Sequence, residues 1–243
     1  FEGDTYYLNY FPKLIDQIYF QGIQLLTQFE NNRYDIPFKQ YSDIQFLATP
    51  SRELTKMLEW YSKWAALHPN EPEILGYIEL NRLEKLNAVN QDIEGQDMYE
   101  KQLLTLTEKY QHYNIAADIK LTLARHYQLL AKRYSATDST TQKYYPLYAE
   151  AHMICQLIVE KYPETQAAKE AKQLMKTIEM PSLTAMVNQY ETAERNFAIT
   201  FTYANLSECT LTLRQVNGSE IWKRNDLERF SGVPVLYQQT IEL

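Results

Sequence analysis

Apolar residues recur at helical spacing along the chain as far as Ile178, and beyond it they alternate with polar ones. A period near 3.6 marks amphipathic helices and a period of two marks half-buried strands. In "DTYYLNYFPKLIDQIYFQGIQLLTQF" the near-heptad stripe Tyr7, Leu14, Ile18, Leu25 and Phe29 predicts one helix, or two broken at Pro12. "PSRELTKMLEWYSKWAALHP" starts at Pro50–Ser51 and stops at Pro69, with Leu54, Met57, Leu58, Tyr61 and Ala65 as its buried stripe. The next helix begins at Pro72, with acidic residues in its first turn and Ile74, Ile78, Leu83 and Leu86 facing inward. After the polar joint "NQDIEGQD", helices are predicted over 98–110, 115–134, 141–162 and 164–178. Their short connections predict antiparallel neighbours.

"AEAHMICQLIVEKYPETQAAKEAKQLMKTI" adds detail. Ala149 and Ala151 precede a bulky row, Pro163 breaks the chain, and Ala167, Ala168 and Ala171 follow at close-packing positions. Small residues that admit a neighbouring helix, followed by a proline break, are the device of a tetratricopeptide-like hairpin. "WAALHPNEPEILGYIEL" repeats it around Pro69. The two breaks are not separated by a whole multiple of the usual ~34-residue repeat, so the array is degenerate.

From Leu183 the inward positions run Leu183, Ala185, Val187, then Phe197, Ile199, Phe201, Tyr203, then Cys209, Leu211, Leu213, and late in the chain Val235, Tyr237 and Ile241. Threonines 200, 202, 210 and 212 take the other face, as in antiparallel sheets with one face buried. Pro181 accounts for the change, because it disfavours the helical conformation at Met180. The expected fold is therefore mainly α: antiparallel helical hairpins over 1–180, then a short, incomplete antiparallel β-sandwich over 181–243. An immunoglobulin-like sandwich needs roughly seven strands over ~100 residues, more than this segment supplies.

Composition narrows the function classes. The 45% apolar and 13% aromatic content supports a packed core, and twenty tyrosines against six glycines suit helices that pack through amphipathic rings. A net charge of −7 argues against a nucleic-acid footprint, which needs a basic stripe. No apolar run is long enough to span a membrane. Phe1 in place of Met implies a processed or trimmed chain.

Candidate chemistry is sparse. His152 and Cys155 share a helix face at i, i+3, but no second ligand pair has metal spacing, so ordinary packing is the better reading and no metal or cofactor is expected. Both Cys155 and Cys209 read as buried thiols rather than a disulfide pair. His68, His112 and His126 suit polar roles at helix ends and faces. Glu71/Glu73 and Glu191/Glu194 are carboxylate pairs in form, but the first pair lies where carboxylates favour a helix N-terminus anyway. No P-loop, GxSxG or HExxH occurs, and no catalytic residue is assigned. "NLS" at Asn205 and "NGS" at Asn217 match the glycosylation triplet, although Asn217–Gly218 reads better as a hairpin tip. Asp138 reads as an N-cap for the helix after it. Two aromatic clusters remain, Trp60, Tyr61 and Trp64 on one side and Tyr144, Tyr145 and Tyr148 on another. Either could form a sugar or peptide platform, or pack between helices.

The stretch "MPSLTAMVNQYETAERNFAITFTYANLSECTLTLRQV" resembles the junction in large bacterial alpha-2-macroglobulin-like proteins, where a helical, tetratricopeptide-like region leads into the first macroglobulin-type β-sandwich. Pro181–Ser182–Leu183 opens the first strand, the second has aromatic alternation, and Asn205–Leu206 sits at the turn before "CTLTLRQV". The helical part resembles the same region more loosely, in its helix order and its "EKYPET" break. The resemblance implies a secreted, envelope-associated protease trap, at the periplasm or cell surface and lipid-anchored through a leader upstream. It implies partners in other domains of a longer chain and in a protease or envelope protein. Bait and thioester chemistry would lie downstream. Neither "HMICQL" nor "SECTLT" matches the Cys-Gly-Glu-Gln thioester run, so no reactive residue is carried over. The alternative expectation is a free-standing tetratricopeptide-like glycan- or peptide-binding envelope protein that uses the aromatic clusters.

Overall fold

The computed structural model describes residues 13–28, 43–44, 51–90, 94–186, 198–214 and 232–243. The protein is mainly helical, with short antiparallel strands in two small sheets. It divides into two compact units, Phe1–Ile178 and Glu179–Leu243. The helices are α1 (Leu14–Gln28), α2 (Arg52–Ala66), α3 (Pro72–Val89), α4 (Glu94–Lys109), α5 (Ile115–Ala131), α6 (Leu147–Lys161) and α7 (Gln166–Glu179). A 3-10 turn, Ser139–Tyr144, lies between α5 and α6.

Local chemistry sets most helix ends. Ser51 caps α2 by accepting the Leu54 amide at 3.2 Å, and Pro72 stands at the start of α3. The single helix expected over 141–162 is instead a 3-10 turn and α6, because Pro146 fills the position before α6 and bars a continuous helix. Asp138 caps the 3-10 turn, its Oδ1 accepting from the Thr140 amide at 2.9 Å and the Thr140 hydroxyl at 2.7 Å. α4 begins at Glu94, inside the stretch read as a polar joint.

Side-chain bonds between helices fix their directions. Asp16 at the start of α1 meets Trp64 at the end of α2, so these two run antiparallel. Lys85 near the end of α3 reaches Gln24 near the end of α1, and Glu84 of α3 meets Thr122 of α5. The odd-numbered helices α1, α3 and α5 are therefore parallel, and α2 runs against them. α4 does so too, since Tyr127 late in α5 donates to Glu100 early in α4 at 2.8 Å. The Tyr162 hydroxyl, just past α6, donates to the Gln111 carbonyl just before α5, making α6 antiparallel to α5. This up-and-down order is that of stacked helical hairpins.

The core runs through the helical unit. Leu54, Met57, Leu58, Tyr61 and Trp64 of α2 meet Ile78, Leu83 and Leu86 of α3, Leu103 of α4, and Ile115, Ile119 and Leu123 of α5. Farther along, Ala151, Cys155 and Ile158 of α6 and Ala167, Ala168 and Ala171 of α7 are buried, the small residues expected at close approaches. The stripe expected for α1 is not the buried face. Leu14, Ile18 and Leu25 are exposed, while Asp16 and Ile23 are fully buried and Tyr19 and Phe20 pack against the core. A carboxylate with partners on α2 decides which face turns inward. Tyr7 and Phe29 of that stripe lie outside the described residues.

In the second unit, β1 (Ser182–Met186) pairs antiparallel with β2 (Thr200–Ala204), and β3 (Glu208–Arg214) with β4 (Val235–Glu242). The register follows the alternation except at a bulge between Leu213 and Arg214, where Val235 falls opposite Arg214. Leu183 faces Tyr203 and Ala185 faces Phe201, while Thr184 faces Thr202 on the other side. Cys209 faces Ile241 and Leu213 faces Tyr237, with Thr210 opposite Thr240. Asn205 takes a positive φ of 54° in the turn between β2 and β3, a conformation asparagine tolerates better than most residues. Val187, Phe197, Glu191, Glu194 and Asn217–Gly218 lie outside the described residues.

Candidate functional site

The aromatic candidates separate into a core group and a surface group. Tyr61 and Trp64 are fully buried and Trp60 is half-buried, so these residues do not form the accessible platform that their spacing allowed. The reason is α1, which covers them. Tyr19 stacks nearly parallel on Trp64 at 6.4 Å and meets Trp60 edge-on at 5.6 Å. Gly22 lets α1 approach so closely that a Cβ there would fall within the Trp60 ring. The Tyr61 hydroxyl donates to Asn81 Oδ1 at 2.6 Å, and burial pushes its pKa well above the ordinary phenol value. Tyr145 and Tyr148 are exposed and Tyr144 is half-buried. Tyr145 stands edge-on to Tyr134 at 5.2 Å, and Lys143 Nζ lies 5.1 Å from the Tyr144 ring centre.

The densest polar constellation joins residues that sequence spacing gave no reason to connect. Asp16 and His68 are both fully buried, and His68 Nε2 lies 2.6 Å from Asp16 Oδ1. The same oxygen accepts from Trp64 Nε1 at 3.0 Å, and Asp16 Oδ2 accepts from the Lys13 amide at 3.0 Å. On the other side of the ring, His68 Nδ1 is 3.1 Å from Glu71 Oε1, which also lies 3.4 Å from Lys13 Nζ. Each ring nitrogen therefore faces a carboxylate oxygen, an acceptor-only group when ionised. The hydrogen bond with His68 is the main influence holding the Glu71 carboxyl below its ordinary range.

The arrangement ties three helix ends together: the first turn of α1, the loop after α2, and the residue before α3. The Asp16–His68 contact is direct and in the core, with both ring nitrogens engaged. Its chemistry is that of a clasp. The helix-end role expected for His68 is what the structure gives, but its partner Asp16 was hidden in an apolar stripe assigned to the wrong face.

The remaining sequence candidates are engaged in packing and capping. Glu73 reaches from α3 to the start of α5, where its two oxygens accept the amides of Asn114 at 2.7 Å and Ile115 at 2.8 Å. Cys155 is buried, and burial pushes its thiol up to about 11. Cys209, expected to be buried like Cys155, is half-exposed because it lies on a strand whose faces are largely uncovered, and both cysteines are free thiols. Among the described residues no His, Cys, Asp or Glu group has the geometry to hold a metal ion, and no helix is long and apolar enough to cross a membrane.

No family model matches this chain, and neither a curated protein nor a solved structure matches it.

Proposed function

We propose that this chain is a non-catalytic scaffold: a helical-hairpin array leading into β-ribbons that other strands complete. The observation that carries this reading is the condition of those ribbons. Among the described residues each is a two-stranded sheet, and Leu183, Met186, Tyr203, Leu213, Val235, Leu236 and Tyr237 are all exposed. Two strands with an uncovered apolar face are marginal in water and gain stability when more strands or another layer cover them. The resemblance of the "MPSLTAM…CTLTLRQV" stretch gives this scaffold a context: the amino-terminal region of an envelope-associated, macroglobulin-like protease trap. Its partners would be further sandwich domains and a captured protease.

The test uses the natural gene product that carries these residues, incubated with an endopeptidase. A trap blocks cleavage of a large protein substrate and spares cleavage of a short peptide. Unchanged cleavage of both substrates would exclude the trap, and hydrolase activity in the purified 243-residue chain would exclude a non-catalytic scaffold.

A second reading rests on the exposed tyrosines. Tyr145 and Tyr148 could stack on a sugar or an extended peptide, as amphipathic rings do at wet interfaces. This reading predicts a saturable change in intrinsic fluorescence with an oligosaccharide or peptide, abolished by Tyr145→Ala. A flat titration across a broad panel counts against it.

A further inference from the structure

His126 sits late in α5 with its side chain turned into the core against the early part of α4. Its ring meets Tyr99 of α4 edge-on at 5.1 Å and lies 6.3 Å from the Tyr127 ring. The residue is 7% exposed, and its Nε2 is buried without a hydrogen-bond partner. Such an orphan is tolerable on a neutral imidazole, where one nitrogen carries no proton, and costly on a charged ring, where that nitrogen becomes a donor. Glu100, the carboxylate with the largest influence on the ring, is already engaged, since its Oε1 accepts from the Tyr127 hydroxyl at 2.8 Å.

We infer that the α4–α5 contact at His126 is an acid-sensitive latch: protonation of the ring releases the amino-terminal half of α4 from α5. The far end of the pair is held independently. Lys109 at the end of α4 bridges Glu79 of α3 at 2.7 Å, and Glu73 holds the first amides of α5. Opening therefore begins around Asp97–Leu103 and hinges toward Tyr110, uncovering Tyr99 and Leu103, which are buried in the closed form.

The charges around the ring set the direction of the response. Burial lowers the His126 pKa, Glu100 and Asp97 of α4 oppose that shift, and Arg133 just beyond α5 reinforces it, leaving the net value below the ordinary one. From α6, Glu150 acts on the adjoining Tyr127. In the opened state the ring titrates near the ordinary value of about 6.5. The opening equilibrium is then flat above that pH and rises as pH falls below it, by about tenfold per pH unit until the closed-state value is passed.

The experiment is amide hydrogen exchange on the whole chain at pH 7.5, 6.5 and 5.5, with protection factors corrected for the intrinsic pH dependence of exchange. Protection over Asp97–Leu103 should fall toward acid in the wild type. It should stay level in His126→Phe, which keeps a ring against Tyr99 and cannot titrate. Glu100→Gln removes an opposing charge and should extend the loss to lower pH, whereas His112→Gln, in the exposed turn before α5, should behave as wild type. A level wild-type profile overturns the latch, as does a His126→Phe profile that still falls. Should the phenylalanine variant not fold, direct NMR titration of His126 in the wild type decides: a pKa at or above the ordinary histidine value overturns the proposal, and one below it supports it.

Discussion

Asp16 shows how much one buried side chain can organise. It bonds to a histidine in the loop after α2, an indole of α2 and the backbone amide just before α1. Removing one partner leaves buried polar atoms of the other without a hydrogen bond, at a cost of about 1–3 kcal/mol. Asp16→Ala and His68→Ala should therefore each lower the urea midpoint strongly, and the double variant should lose much less than the sum of the two. Additive losses would mean the pair is not coupled. Cys155 gives a second test at this scale. Buried, with its thiol pushed up to about 11, it should resist iodoacetamide at pH 8 until the chain unfolds, while half-exposed Cys209 reacts in the native state; equal rates would place Cys155 at the surface. Periodicity alone could not anticipate these roles. It identifies which positions share a helix face, but it does not say what covers that face, so Tyr61 and Trp64 read as core, the commoner outcome at helical spacing, without excluding a platform. Asp16 carries no signal in the sequence because its side-chain partners, His68 and Trp64, are distant in sequence.

Helices in this protein are placed by caps and close approaches as much as by apolar stripes. Glu73 supplies both oxygens to the first amides of α5, a capping role usually filled by the residue before the helix. Glu73→Ala should cost about 1 kcal/mol, in the range of lost N-caps, and Glu73→Gln, which retains one acceptor oxygen, should cost less. Chemical denaturation of the two variants separates these outcomes, and no loss in Glu73→Ala would mean that water replaces the cap. At Gly22 an added methyl overlaps the Trp60 ring, so Gly22→Ala should destabilise despite alanine's higher helix propensity; overpacking of this kind costs about 1–3 kcal/mol. Gly232, with nothing within 4 Å of a Cβ, is the internal control and should accept alanine with little change. At this scale much was legible. Ser51, Pro72 and Pro181 act through the residues next to them and marked their boundaries correctly. Pro146 carries the same local signal, yet the apolar spacing on both sides of it drew one helix where the backbone makes a 3-10 turn and then α6. The inward face of α1 was not legible, because a tertiary contact of Asp16 overrides its near-heptad stripe.

Across the whole molecule the two units differ in how much they bury. The helical unit has a continuous core of fully buried side chains, whereas β1 has every side chain exposed and β4 all but one. Hydrogen bonds in a region with few buried apolar contacts open locally at low free-energy cost, while those in a core open only with global unfolding. Amides of β1–β4 should therefore exchange orders of magnitude faster than those of α3 and α5 in the isolated chain. The strict alternation that made the strands readable carries no information about this difference, because it specifies an apolar face and not its cover. The same measurement bears on the scaffold proposal. Strands that exchange quickly in this chain and become protected in the natural gene product that carries these residues have found their covering layer there. Strands already as protected as α3 at micromolar concentration must be covered in the isolated chain, and loss of that protection on dilution would identify the cover as a second copy of the same molecule.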